Sequence, residues 1–299
     1  GGGGLRLGAM ADLDVAEPTL APERSGGAGV SRLALEAAVI SAPFGNYVQP
    51  AGTTPTLGTF TRRARGGRVW RILKTVRYYP RLGAWVNKIG LRNPGIDWLA
   101  DRAGRGKKAI AGRLVSVHGF EPGEWRKLIE ACAGMREGGD GARMLGVELN
   151  MSCPNVGAVV GGVAGWRELF DIAIDVLGRA EVGVVVKLPP VRYEAMAEAA
   201  WGAGVRCFHC CNTLPVPGGG MSGSPLLPIS LRCVGWMREQ FGPTAQVIGG
   251  GGIVSPDQVD AYRAAGADHF ALGTVCMDPR LLFSDKKVRA TIERAGASD

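Results

Sequence analysis

The chain has 299 residues, 46 % of them hydrophobic, and a formal net charge of +8. That length supports one large core, and α/β barrels commonly reach this size as a single domain. No apolar run approaches the roughly 20 residues a membrane helix needs, and the Gly-rich start lacks a charged region followed by an apolar one, so neither a membrane span nor a secretory signal is expected.

In chain order, residues 1–34 are rich in Gly, Ala, Pro and charge and read as a flexible N-terminal arm ahead of a domain over 35–299. Two weaker strand patterns follow, around Val39 to Ser41 and Thr56 to Thr61. Six clearer ones come next: Arg113 to His118, Met144 to Leu149, Val182 to Leu188, Val205 to Cys211, Gln246 to Gly249 and His269 to Gly273. Most are nearly continuous in apolar residues, the pattern of strands buried on both faces. Helical stretches separate them: Pro122 to Arg136, Trp166 to Arg179, Tyr193 to Ala203, Ile229 to Gln240 and Pro256 to Ala265. Ser255 before Pro256 is a start signal, with Ser at the N-cap and Pro in the first turn.

Strand and helix in alternation predict parallel βα units, and eight strands predict a (β/α)8 TIM barrel. Polar and Gly-rich signals at the ends of many different strands favour the closed barrel, because an open sheet concentrates its site at one switch point. A basic segment carries Arg62, Arg63, Arg65, Arg68, Arg71, Lys74, Arg77 and Arg81. With no nucleic-acid-binding motif beside it, it reads as a solvated face or as a field that attracts anions. Seven cysteines, an odd number, fit a reducing cytoplasm. Cys207 and Cys210 have CxxC spacing without a second pair to complete a zinc site, and strand alternation points them to opposite faces. His118, His209 and His269 lie in or beside strands without metal-ligand spacing, so no metal is expected.

The chemistry gathers where strands end. Asn150-Met151-Ser152-Cys153-Pro154-Asn155 packs two amides, a hydroxyl and a thiol into six residues. Amides can grip a planar polar ligand by its edge, and a steadied thiolate can take a proton. An ordinary Asn/Ser/Pro turn is the alternative. Lys187 ends the apolar run Gly183 to Val186, where a cation needs an anion or a path to water. Asn212-Thr213 follows the next strand, then Gly218-Gly219-Gly220-Met221-Ser222-Gly223. Gly249-Gly250-Gly251-Gly252 and Gly273-Thr274 end the seventh and eighth strands, the usual place of a phosphate grip in barrels. A flavin mononucleotide or a sugar phosphate fits that reading.

The segment Asn150 to Asn155 resembles the NxSCPN motif of the dihydroorotate dehydrogenases. The resemblance runs from about residue 37 to 280: Ser41-Ala42-Pro43-Phe44-Gly45, Asn87 to Gly95, Val186-Lys187-Leu188, Asn212-Thr213, Gly219 to Gly223, Gly249 to Gly252 and Gly273-Thr274 follow in family order. It implies FMN-dependent oxidation of dihydroorotate to orotate in pyrimidine biosynthesis. It makes Cys153 the base at C5, with hydride passing from C6 to FMN. Asn87, Asn150, Asn155, Asn212 and Thr213 would hold the substrate. Ser41, Lys187, Gly223, Gly249, Gly251, Gly252, Gly273 and Thr274 would hold FMN. A cysteine base is similar to the soluble class of the family, which implies a cytoplasmic homodimer, and electrons leaving to fumarate, to quinone, or to NAD through a partner electron-transfer subunit.

Two departures from the family pattern stand out. In Thr56-Leu57-Gly58-Thr59-Phe60-Thr61, Gly58 takes the place of the lysine that the family carries at its second strand. Losing that cation near a carboxylate costs on the order of 1 to 3 kcal/mol, and Lys88 or Arg92 could replace it. The link from Phe44 to Gly58 is also short, so the first helix is expected to be missing. These changes leave room for a related flavoenzyme acting on another dihydropyrimidine or cyclic amide, or for a barrel that binds without turnover.

Overall fold

The computed structural model describes residues 32–107, 109–138, 141–151, 162–278, 281 and 284–297. They belong to one compact unit, Ser31–Asp299. The elements are β1 (Ala38–Ile40), β2 (Thr53–Phe60), α1 (Arg68–Thr75), β3 (Arg77–Tyr79), β4 (Ala84–Asn87), α2 (Ile96–Gly104), β5 (Leu114–Val117), α3 (Pro122–Gly134) and β6 (Gly146–Asn150). Then come α4 (Gly162–Arg179), β7 (Gly183–Lys187), α5 (Glu194–Ala203), β8 (Cys207–Cys210), β9 (Leu214–Val216), β10 (Gly219–Gly223), α6 (Leu227–Phe241), β11 (Gln246–Gly250), α7 (Pro256–Ala264), β12 (His269–Leu272) and α8 (Lys286–Gly296).

Eight parallel strands close into a barrel in the order β1, β12, β11, β8, β7, β6, β5, β2. Both weak strand patterns and all six strong ones are barrel strands, so the TIM-barrel expectation holds. The apolar runs are continuous because each strand is covered twice. Val39, Leu114, Val185, Cys207, Ile248 and Ala271 fill the barrel interior. Val115, Val147, Val186, Phe208, Cys210 and Leu272 pack outward in the larger cluster shared with the helices. Cys207 and Cys210 thus face opposite ways, as alternation requires.

The segment before β1 closes the barrel's N-terminal end. Gln246 receives the Leu33 N–H at 2.8 Å and donates to the Leu33 carbonyl at 2.9 Å. As expected, no α-helix joins β1 to β2; one 3-10 turn, Phe44–Asn46, does. Helix α7 starts as its sequence predicts, with Ser255 at the N-cap, Pro256 after it, and the Ser255 N–H donating to Gln258 Oε1 at 3.1 Å.

The stretch Gly218 to Gly223 carries no strand pattern in the sequence, yet Gly219–Gly223 is a strand. It pairs antiparallel with β4 and β9 in a second, four-stranded sheet of order β3, β4, β10, β9. Glycine disfavours strands by local propensity, but the free edge of β4 supplies the missing hydrogen bonds. This sheet carries Asn87 and, through β9, follows Thr213, so it forms one wall above the barrel's C-terminal end.

Candidate active site

A line of hydrogen bonds crosses the C-terminal end of the barrel. Asn212 Nδ2 donates to Asn150 Oδ1 at 2.7 Å, and Asn150 Nδ2 donates to Thr59 Oγ1 at 3.0 Å. Thr59 Oγ1 lies 2.9 Å from Ser116 Oγ. Strand ends place these four side chains together: Asn150 ends β6, Thr59 and Ser116 lie next to the last residues of β2 and β5, and Asn212 follows β8 by two residues. Behind Asn150, the His118 ring lies 2.7 Å from its carbonyl through Nδ1. A carbonyl only accepts, so that nitrogen carries the proton. The amides are thereby fixed before any ligand arrives.

Beneath them sits a buried charge cluster. Glu148, fully buried within β6, is 2.6 Å from His209 Nδ1 through Oε2 and 4.0 Å from Lys187 Nζ through Oε1. Oε1 makes no hydrogen bond. Burial is the largest single influence on Glu148 and opposes its ionisation, but the Lys187 charge, His209 and Ser116 together outweigh it and hold the carboxyl at about 2. His209 moves the other way. Burial, then the Lys187 charge, lower it below its ordinary value against the pull of Glu148. The ring is therefore neutral at pH 7, with Nδ1–H donating to the carboxylate. Glu148 and Lys187 form the ionised pair, and Lys187 is held with its head toward open space.

Two cavities share this floor. One, of about 450 Å³, is lined by Pro43, Thr59, Asn87, Asn150, Lys187, Asn212 and Thr213, with Arg68 and Arg92 at its rim. The other, of about 180 Å³, is lined by Ser41, Lys187, His209, Thr213, Gly251, Gly273 and Thr274. Lys187, Asn87, Asn212 and Thr213 border both. Thr274 also borders an outer cavity of about 400 Å³ beside Ser224 and Lys287.

The residues singled out from the sequence therefore divide. Ser41, Asn87, Asn150, Lys187, Asn212, Thr213, Gly251, Gly273 and Thr274 converge on the cavities. Gly223 and Gly252 line neither cavity, and both have positive φ. A Cβ on Gly223 would meet the Gly83 carbonyl oxygen at 2.2 Å, and one on Gly252 would meet the Gly223 oxygen at 2.7 Å. Only glycine lets these two backbones close on each other. Gly249, too, lines neither cavity. Its Cβ would strike Tyr262 at 2.6 Å and Ala267 at 2.8 Å, so its missing side chain serves the packing of β11 against α7. Cys153 and Asn155 lie outside the described residues.

The second strand explains its own departure. Gly58 has φ +107°, and a Cβ there would lie 2.4 Å from the Ser116 carbonyl oxygen. No lysine stem fits that position. Its neighbour Thr59 faces the cavity instead. Cations come from elsewhere: Arg68 and Arg92 line the larger cavity, whereas the exposed Lys88 does not. Arg68 is held by Tyr47, whose hydroxyl accepts from its guanidinium. Sequence reading missed Glu148, Thr59, Ser116 and Arg68. Glu148 carried a usable signal, since a carboxylate inside the apolar run Val147 to Leu149 needs a buried partner.

A parallel barrel with convergent amides, a buried ion pair and glycine-lined approaches at its C-terminal end defines a ligand-converting α/β-barrel enzyme. The family model for dihydroorotate dehydrogenase matches residues 51–294. A putative dihydroorotate dehydrogenase A (fumarate) of Aeropyrum pernix is 28 % identical over 275 residues, covering 81 % of this chain and 85 % of that protein. The catalytic subunit of dihydroorotate dehydrogenase B (NAD(+)) of Desulforudis audaxviator is 32 % identical over 234 residues, covering 68 % of this chain and 73 % of that protein. The crystal structure of an Eimeria tenella DHODH in complex with ferulenol superposes with a TM-score of 0.65 at 16 % identity, over 87 % of this chain and 80 % of that one, a likeness of fold. The chain belongs to the dihydroorotate dehydrogenase family and is an oxidoreductase of the CH–CH donor class.

Proposed function

We propose that residues 35–299 oxidise dihydroorotate to orotate, a step of pyrimidine biosynthesis, using bound FMN. The observation that carries this reading is the ring of amides, Asn87, Asn150 and Asn212, around a cavity floored by Lys187. A dihydropyrimidine presents alternating N–H and carbonyl groups along its edge, and amide side chains answer both. Arg68 and Arg92 at the rim offer charge to its carboxylate.

The residues present fit FMN. Gly251 and Gly273 line the smaller cavity, where backbone without a side chain can come close to a phosphate. Lys187 offers a buried ammonium whose carboxylate partner stands 4.0 Å away, leaving donors for the flavin. Ser41, Gly251, Gly273 and Thr274 would hold the cofactor beside it. When bound, the flavin supplies a two-electron acceptor for the hydride from C6 of the substrate.

The chain's own residues do the rest. The Cys153 thiolate takes the proton from C5, and Asn155 joins the other amides in holding the ring. Asn150, pinned between Asn212 and Thr59, cannot swing away, so it offers the ring one orientation. A general base contributes about 10²- to 10⁴-fold. Cys153→Ala should therefore lower orotate formation, followed with a dye as acceptor, by at least about a hundredfold. Activity within threefold of the parent would remove Cys153 from this role. Relatives named as catalytic subunits support an electron-transfer partner for this chain as well.

A further inference from the structure

The excess positive charge of this protein sits in one place. Ten of its 35 Lys and Arg, and none of its 27 Asp and Glu, fall between Arg62 and Ile96, leaving 25 against 27 elsewhere. Among the described residues only Arg62 of these ten has a carboxylate partner, Asp97. The same segment holds seven of the ten large apolar side chains exposed on the described surface: Val69, Trp70, Ile72, Leu73, Tyr78, Tyr79 and Leu82.

Helix α1 is turned inside out. Val69, Trp70 and Leu73 are 71, 68 and 69 % exposed, and no residue of the helix is buried. Arg68 and Arg71 face inward and are half-buried. A helix on a water-covered surface shows the reverse arrangement. Tyr78, Tyr79 and Leu82 extend the apolar face beyond the helix, with Lys74, Arg77 and Arg81 exposed around it.

We propose that α1 and the segment to Leu82 dock this protein on an anionic phospholipid surface. Apolar side chains on one outward face, aromatic Trp and Tyr among them, and a surround of unpaired cations match the interfacial zone of a bilayer. A second copy seated face to face would set Lys74, Arg77 and Arg81 against the same three cations. The docking is peripheral, since no helix among the described residues is long and apolar enough to cross a membrane.

Co-sedimentation of the full chain with phosphatidylserine-rich vesicles and with pure phosphatidylcholine vesicles tests this. Binding is expected to the anionic vesicles and to fall with salt. Lys74→Gln, Arg77→Gln and Arg81→Gln together should weaken it roughly a hundredfold, from about fivefold per charge. Trp70→Ser with Leu73→Ser should abolish it while leaving dehydrogenase activity unchanged. Tryptophan emission of the parent chain should be quenched by brominated lipid, a readout that needs no variant. Failure to bind anionic vesicles at low salt, or binding unaltered in the Trp70/Leu73 variant, overturns the proposal. So does a dimer that dissociates in that variant while the parent ignores vesicles, which would make a second copy the occupant.

Discussion

Replacing Glu148 by Gln removes one charge from a fully buried ion pair and little else. The Gln oxygen still accepts from His209 Nδ1, but its amide then presents N–H donors toward the Lys187 ammonium 4.0 Å away. Two magnitudes agree. The carboxyl is held at about 2 from an ordinary 4.5, which corresponds to about 3 kcal/mol at about 1.4 kcal/mol per unit. Breaking one side of a buried ion pair costs about 3 to 5 kcal/mol. For a chain of this size that means a Tm lower by roughly 5 to 8 °C at pH 7. Because the folded carboxyl is depressed, its contribution is complete above the unfolded value and fades as pH falls from about 4.5 to about 2. Urea unfolding of Glu148→Gln, Lys187→Met and the double variant, measured across that range, reads the effect. The double variant should be more stable than the sum of the singles predicts, by at least about 1 kcal/mol. Strict additivity, or a Glu148→Gln variant as stable as the parent at pH 7, would refute the buried-pair account.

Gly58→Lys, which restores the residue the family carries, should destabilise this chain by at least about 2 kcal/mol, because a side chain at φ +107° must also displace the Ser116 carbonyl. Differential scanning fluorimetry checks it, and an unchanged Tm would contradict the steric argument. Arg68→Ala or Arg92→Ala should raise the KM for dihydroorotate roughly tenfold, on the scale of a hydrogen bond to a charged group, while Lys88→Ala leaves it unaltered. Steady-state assays in which only the Lys88 variant responded would reverse that assignment.

The barrel was legible because its strands are buried on both faces, so runs such as Val184-Val185-Val186 carry no competing helical period. The wall above it was not. Arg77–Tyr79 has no buried residue and Gly219–Gly223 is glycine-rich, so both are strands only because β4 lies between them. Amides and Lys187 could be picked out as polar residues at strand ends, and the structure converges them. Gly249 shows the limit of that logic, since a glycine that lines a cavity, such as Gly273, and a glycine packed under a tyrosine look alike in sequence. Thr59 and Ser116 were invisible for a similar reason. Hydroxyls on strands are common, and only closure of the barrel brings Thr59 within 2.9 Å of Ser116 and 3.0 Å of Asn150.

The most direct test of the central claim is an anaerobic absorption spectrum of the FMN-loaded protein before and after addition of dihydroorotate. The account predicts a bound flavin band that bleaches on addition. A bound flavin whose band stays unchanged would contradict dihydroorotate as the substrate, and bleaching by a neutral dihydropyrimidine instead would turn the reading toward that class of compound.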